Sequence, residues 1–407
     1  MNKLQIAIVG AGPAGLAAAL YLHRAGHNVT LFERFSTPSP VGSGLILQPT
    51  GLTVLDDLGL FDAIALLGNR IDRLYGADAL SGRAVLDVKY ASLKGGRHGI
   101  AVHRAALFDV LHQAILREGI DIETNVAAFS LETSGSQTWL LTGTGRKIGA
   151  FDLVVDASGS RSKLKTFAFN PCEPKPLAYG AYWASLEWHP GGFEERSLLQ
   201  RYRKAGVMIG VLPIGKTGTN GRNMAAFFWS TKPDDAEGLR AAGISSWKDR
   251  VLSLWPECSV YLDQIDGFDD MTLARYGHHT LSMPVGRNLA VIGDAAHSTS
   301  PQLGQGANMA LLDARALAHA LAHSTELDAA LSAYAASRRV HVRGFQVLSR
   351  AFTPFYQSDS TLLPFARDRV VPAMARIPPA PQLLASMVSG TLIDPFKPIG
   401  LREKVWI

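Results

Sequence analysis

Two glycine-rich turns, far apart in the chain, carry the residue types that could do chemistry. The first is GAGPAG, which sets Gly10, Gly12 and Gly15 in GxGxxG spacing directly after the apolar run LQIAIV (4–9). A β-branched run of this kind is expected to be a strand buried on both faces. LAAALYLHRAG then reads as a helix closing at Gly26 in the C′ position, and NVTLFE as a second strand ending in Glu33. Gly10 permits a tight turn, Gly12 lets the backbone approach a pyrophosphate, and Gly15 allows close helix–strand packing. The helix N-terminus offers unpaired N–H groups and a partial positive charge to phosphates. Glu33 can accept both ribose hydroxyls of an adenosine, and an acid there argues against a 2′-phosphate. With Ala14 and Arg34 beside them, these residues predict FAD or NAD binding rather than NADP.

The second turn lies in VIGDAAHSTSPQLGQGANMALLDA (291–314). A buried strand runs toward Asp294, and Gly304 and Gly306 precede an alanine-rich helix whose first turn holds Ala307 and Asn308. Amides at that helix N-terminus can face the pyrimidine end of a flavin and stabilise the negative charge of its reduced form. Asp294 can accept a hydrogen bond from a ribityl hydroxyl. One long ligand would then be gripped twice, by adenosine and pyrophosphate at the first turn and by ribityl and isoalloxazine at the second. That is the shape of FAD and not of NAD.

The elements that must position these turns follow from the rest of the chain. Its 407 residues, 47% hydrophobic and 18% charged, describe a globular enzyme with one large or two interleaved domains. No apolar run approaches the ~20 residues needed to cross a bilayer, and Met1-Asn2-Lys3 leads straight into the first strand, so a cytoplasmic protein without integral membrane association is expected. Cys172 and Cys258 are far apart and lack CxxC spacing, which predicts neither a disulfide nor a metal site. The net charge of +5 is scattered, which argues against nucleic acid and suits an anionic cofactor or substrate.

RFSTPSPVGSG (34–44) reads as a mobile loop, LQPTGLTVLDDLGLFDAI as a helix, and HRAALFDVLHQAILREG (103–119) as an amphipathic helix opened by Arg104. A cation there opposes the helix dipole, so Arg104 is either solvated or paired with an anion. Between 176 and 285, aromatic and alternating stretches predict a mainly antiparallel sheet. The expected fold is α/β: a discontinuous Rossmann-like domain (1–75, 101–175, 286–345), an inserted substrate-binding sheet domain (76–100, 176–285), and a C-terminal helical extension broken by prolines (346–407). His278 and His279 are expected on a surface strand, and His297 is expected to be structural.

GAGPAG, GDAAHSTSPQLGQGANMALLDA and HRAALFDVL resemble three motifs of the group A flavoprotein monooxygenases, the p-hydroxybenzoate hydroxylase-like family, whose relatives hydroxylate salicylate, hydroxynicotinate and quinolones. The resemblance covers residues 1–345. It implies an FAD enzyme that uses NAD(P)H and O2 to hydroxylate a small electron-rich aromatic or heteroaromatic substrate through a C4a-hydroperoxyflavin. It also implies that Arg104 approaches the FAD phosphate and ribityl region, that Ser43 and Gly44 lie near the flavin, and that the Val126 backbone meets the adenine. Pro301 and Gln302 are implied to lie next to substrate; where some relatives place a histidine, Gln302 cannot act as a base. Trp183, Tyr202, Met208 and Phe228 are further pocket candidates, although which face of the strand at 207–212 meets the pocket stays open.

The chain departs from the family in DASGSRSKLK, where Ser158 replaces the usual acid and Lys165 the usual arginine. That motif supports both FAD and the nicotinamide donor in the family. A halogenase or reductase of the same fold, supplied with reduced flavin, is therefore the first alternative, although YWASLEWHP does not match the halogenase Trp-x-Trp-x-Ile-Pro stretch. A non-catalytic flavoprotein redox sensor is the second. A homodimer is the partner expectation beyond small molecules.

Overall fold

Glycine turns need strand ends to hold them, and the parallel sheet supplies these. In the computed structural model, which describes residues 2–37, 43–375 and 377–406, Gln5–Val9 forms a strand in a six-stranded sheet. The order is Val285–Gly286, Leu289–Val291, Leu153–Asp156, Gln5–Val9, Asn28–Phe32 and Asp121–Glu123. All neighbours are parallel except the first pair, so the chain leaves the strands at Val9, Phe32, Asp156 and Val291 along one edge. Ile6, Ile8, Leu31 and Val155 pack against the helices Pro13–Arg24, Arg104–Arg117 and Gly306–Ala322 through Leu16, Leu20, Leu107, Leu111 and Leu311. The opposite face, with Ala7, Val9 and Val154, is covered by Leu131, Leu140 and Ile148 of a three-stranded antiparallel sheet. Burial on both faces is why LQIAIV reads as an unbroken apolar run.

The expected antiparallel sheet has seven strands: Thr272–Ala274, Gly180–Glu187, Asn223–Thr231, Val207–Lys216, Ser197–Arg203, Arg73–Asp78 and Ala84–Lys89. Only the pairing of Ser197–Arg203 with Arg73–Asp78 is parallel. Alternation assigns its two faces. Val207, Ile209, Val211, Tyr182 and Leu186 meet Trp247, Val251 and Leu262 beneath helices Ile244–Leu254 and Ser259–Leu262. Met208, Leu212 and Trp183 point the other way, into clusters shared with the C-terminal helices. The face of Met208, Gly210 and Leu212 is thus the one turned away from helices Ile244–Leu254 and Ser259–Leu262.

Three expectations need correction. The single helix expected after Leu47 is two, Pro49–Asp57 and Phe61–Leu67, because Gly59 takes φ +70° and turns the chain at Leu58–Leu60. Proline does not break the C-terminal region at 354: Leu327–Tyr356 is one helix of 30 residues that runs through 345–346. His278 and His279 are buried, at 7% and 2% exposure, not on the surface. Arg350 donates to His278 Nε2 at 2.6 Å, and His279 bridges Ser298 Oγ and the Ala295 carbonyl. Of the expected mobile loop, residues 38–42 lie outside the described residues. Among the described residues no helix is long and apolar enough to cross a membrane. The end of the chain returns to the helices Pro49–Asp57 and Phe61–Leu67, where Lys404 Nζ meets Asp56 at 2.6 Å and Trp406 packs edge-on against Phe61.

Candidate functional site

At the first turn each glycine has a distinct geometric reason. Gly10 takes φ +106°, and a Cβ there would sit 2.6 Å from the Ala157 carbonyl oxygen. A Cβ on Gly15 would sit 1.9 Å from the Gly10 carbonyl oxygen. Gly12 is different. Its φ of −77° is ordinary, and no protein atom lies within 4 Å of where a Cβ would project. It opens onto the start of helix Pro13–Arg24, which has Pro13 in its first turn and no side-chain cap. Glu33 is buried; its Oε2 accepts the Ala11 N–H at 2.9 Å and its Oε1 the Phe35 N–H at 3.1 Å. A carboxylate offers about four lone-pair sites, so two remain for hydroxyls. The Val126 N–H donates to the Glu33 carbonyl at 2.9 Å, which places Val126 beside the acid, while Arg34 lies exposed over the Phe35 ring.

The second turn comes within contact of the first. A Cβ on Gly293 would lie a tight 3.1 Å from the Ala14 Cβ, and Gly293 takes φ +61°, so the two turns meet at a position that favours glycine. Gly304 takes φ +61°, and the 17-residue helix Gly306–Ala322 starts without a side-chain cap. Asp294 is exposed at this helix start, its Oδ1 3.7 Å from the Cβ position of Gly306, and Ala307 is half-buried. Asn308 is fully buried. Its Oδ1 accepts the Gln48 N–H at 2.8 Å and its Nδ2 donates to the Gly304 carbonyl at 2.9 Å, so the side chain braces the turn and leaves only its backbone for a ligand. Open space over Gly12 and two uncapped helix starts joined at Ala14–Gly293 fit one elongated ligand with anionic phosphates between its ends, as FAD is.

A buried ionic network holds the second turn. Asp313 Oδ2 accepts the Gly293 N–H at 2.9 Å and His297 Nε2–H at 2.6 Å, while Oδ1 accepts Arg338 Nε–H at 2.7 Å. Burial opposes ionisation of Asp313, but His297 and Arg338 outweigh it and hold the carboxyl well below the usual range. His297 thus serves the structure, as its position suggested.

Arg104 opens its helix, is exposed, and its backbone N–H donates to the Ser43 carbonyl at 2.9 Å. Its guanidinium makes no hydrogen bond to another described residue. His103, absent from the candidates above, caps this helix by accepting the Ala105 N–H on Nδ1. That fixes the neutral ring's proton on Nε2, which faces Ser185 Oγ at 3.1 Å, and burial lowers the His103 pKa. Ser185 Oγ donates onward to Ser43 Oγ at 2.9 Å, and Ser43 Oγ to the Ala184 carbonyl at 3.1 Å. A Cβ on Gly44 would collide with Ile214 at 2.4 Å, which keeps this strand close to the sheet. Ser43→Ala removes the acceptor of Ser185 and is expected to lower stability by about 1–2 kcal/mol in urea unfolding.

Three of the four pocket candidates, Met208, Phe228 and Tyr202, share one cluster with Val85 and Tyr356, and the fourth, Trp183, packs against it together with Phe352. Trp183 and Phe228 have ring centroids 4.7 Å apart, and Gly210 is required because a Cβ there would sit 2.1 Å from the Phe228 ring. Tyr202 is fully buried, with its OH donating to Gln200 Oε1 at 2.9 Å and Arg367 over its ring. Trp183 Nε1–H donates to Tyr276 OH at 2.8 Å, a contact that no sequence signal indicated. Pro301 is exposed and Gln302 half-buried. The preceding Thr299 and Ser300 are pinned to the long helix through Ser349 and Thr353 at 2.6 and 2.7 Å.

In the departing motif, Ser158 Oγ donates to Asp156 Oδ1 at 2.6 Å and Ser162 Oγ to Oδ2 at 2.5 Å. Lys165 is buried and donates to the Ser160 carbonyl at 2.9 Å. Both substituted positions are turned inward.

With this geometry in view, residues 3–349 match the model of the family described as FAD binding domain. The chain is 27% identical over 386 residues to the aurachin C monooxygenase/isomerase of Stigmatella aurantiaca, covering 91% of this chain and 94% of that protein. It is 27% identical over 372 residues to the 6-hydroxynicotinate 3-monooxygenase of Pseudomonas fluorescens, covering 85% and 90%. Klebsiella pneumoniae HpxO, solved with FAD and uric acid, superposes with a TM-score of 0.79 at 20% identity, over 95% of this chain and 98% of that one.

Proposed function

This chain belongs to the FAD-binding-domain family, and from that premise we propose that it is an FAD-dependent monooxygenase that hydroxylates a small electron-rich aromatic or heteroaromatic ring with NAD(P)H and O2. The observation that carries the reading is the junction of two uncapped glycine turns at Ala14 and Gly293. Relatives named as monooxygenases, matched along most of the chain, support it.

Bound FAD supplies the redox chemistry, taking electrons from NAD(P)H and activating O2 for transfer to the ring. The chain's own residues bind, orient and exclude water. Gly12 and the first-turn amides take the pyrophosphate, Glu33 the adenosine ribose, and Arg104 the adjoining negative charge. Asp294 accepts from a ribityl hydroxyl, and the start of Gly306–Ala322 stabilises negative charge at the flavin ring. Trp183, Phe228 and Met208 give the ring an apolar, dry wall, which protects a reactive oxygen donor from water.

The test is anaerobic mixing of the holoprotein with NADH or NADPH, with and without a panel of phenols and quinoline-type heterocycles. The expected result is bleaching of the flavin band, accelerated at least roughly tenfold by one class of ring, in keeping with substrate-dependent assembly of the site. Ser158 favours a second reading, since it carries no charge and its one O–H is donated to Asp156, which leaves it only acceptor lone pairs. That reading, in which reduced flavin comes from outside, predicts no bleaching with either donor and turnover only with an added reductase.

A further inference from the structure

Gln48 brings a side-chain amide to the second glycine turn. Apart from its own chain neighbours, Gly304 has one described atom within 4 Å of where a Cβ would project, Gln48 Nε2 at 3.7 Å. Gly304 takes φ +61° two residues before helix Gly306–Ala322, so this amide borders the open space over the turn. Gln48 is 1% exposed, yet among the described residues no acceptor takes either N–H of Nε2. A buried donor left without an acceptor is costly, and a ligand oxygen would recover that cost.

The amide is held from both ends of its residue. Its Oε1 accepts the Tyr90 hydroxyl, and the Gln48 backbone N–H donates to Asn308 Oδ1 at 2.8 Å. Tyr90 is fully buried, and burial holds its phenol well above the usual range, so it remains a donor at neutral pH. Gly99 makes room for that hydroxyl, since a Cβ there would stand 2.9 Å from the Tyr90 oxygen. Gln48 directly precedes helix Pro49–Asp57 without capping it, so its side chain is not spent on local structure. With Oε1 committed to Tyr90, Nε2 is the atom presented to the turn. An amide whose oxygen accepts one hydrogen bond is polarised into a better N–H donor.

We infer that Gln48 is a cofactor-contacting residue whose Nε2 donates to a carbonyl oxygen on the pyrimidine edge of the flavin ring and so raises the potential of bound FAD. This assignment rests on the proposed seat of that ring at the second turn. Reduction places negative charge on the pyrimidine edge, and a hydrogen bond to a charged acceptor is roughly twice as strong as one to a neutral acceptor. The donor therefore favours reduced over oxidised flavin, in the same sense as the start of helix Gly306–Ala322.

The two-electron potential of the FAD-loaded protein is measured at pH 8 against a reference dye. Gln48→Leu should reduce the preference for reduced over oxidised flavin roughly tenfold, a fall of about 30 mV for two electrons. Gln48→Glu keeps an acceptor for Tyr90 and sets a negative charge in place of the donor, so its potential should fall at least as far. Tyr90→Phe keeps the amide and loses only its anchor, and a smaller fall is expected. Flavin content after reconstitution of Gly306→Val tests the seat of the ring itself. A Cβ at 306 would meet Asp294 Oδ1 at 3.7 Å, an ordinary contact, while the methyls would enter the opening at the helix start. Lost flavin in Gly306→Val with unchanged potentials in both Gln48 variants overturns the assignment of Gln48 alone. Retained flavin there with unchanged potentials removes the ring from the second turn, and the proposed seat and this assignment fall together.

Discussion

Gly12→Val is expected to abolish FAD binding while leaving the apoprotein as stable as before. Position 12 has an ordinary backbone conformation and no protein neighbour within 4 Å of a Cβ, so a side chain there starts into open space. Valine at 12 would fill the space over an uncapped helix start through which the proposed phosphate would approach. A loss of affinity of roughly 100-fold or more, about 3 kcal/mol, is expected from excluding the backbone contacts and the helix-end charge together. Gly15→Val supplies the contrast. Its Cβ would stand 1.9 Å from the Gly10 carbonyl, so the helix must move off the strand, at a cost of about 1–3 kcal/mol or more to the fold itself. Flavin content after reconstitution and thermal unfolding of the apoprotein check both. Retained flavin in the Gly12 variant would remove the first turn from the cofactor site, and equal destabilisation by the two variants would show that Gly12, too, is there only for packing.

What was legible in the sequence is what local backbone geometry dictates. Both glycine turns, their flanking strands and helices and the terminal acid could be read because each is set within a span of about thirty residues. The aromatic face of Trp183, Met208 and Phe228 was legible as a sheet with two faces, but not as a particular face, since alternation leaves that choice to what packs behind. The unread parts are those that distant segments create. Tyr276 meets Trp183 across 93 residues and Ser43 meets Ser185 across 142, through polar side chains that look solvated in isolation. The same is true of His278 and His279, which are buried because Arg350 and Ser298 come to them. Gly59 and Pro354 mislead in opposite senses. The glycine ends a helix where the apolar period continues, and the proline sits in the last turn of a helix it was expected to interrupt.

Acidification is expected to loosen the second glycine turn well above the pH at which carboxylates are lost. His341 is 2% exposed, with its Nε2–H on the Gly390 carbonyl at 3.0 Å and Arg338 facing Nδ1 at 3.4 Å. Burial, then the Arg338 charge, lower its pKa to about 3. Burial, then Arg350, lower that of His278 to about 4. In the unfolded chain both titrate near the ordinary value of about 6.5. Above that value neither state holds the proton and stability is at its plateau. As pH falls below it, the unfolded chain takes up protons that the native rings refuse, so stability drops until the folded values are reached. For His341 alone the slope is about 1.4 kcal/mol per pH unit, or about 2 kcal/mol lost by pH 5, and His278 acts in the same direction. Asp313, whose folded pKa is depressed instead, adds its own loss only below about pH 4. Urea midpoints at pH 8, 6.5 and 5 should therefore fall steeply over the last interval, and His341→Gln, which keeps a donor for Gly390 without a titrating ring, should flatten that fall. His341, Arg338, Asp313 and Gly293 form one connected chain of contacts, so protonation strains the turn directly. Release of bound FAD, seen as a rise in flavin fluorescence, is expected over the same interval; a midpoint that stays flat from pH 8 to pH 5 would mean that the native rings accept the proton after all.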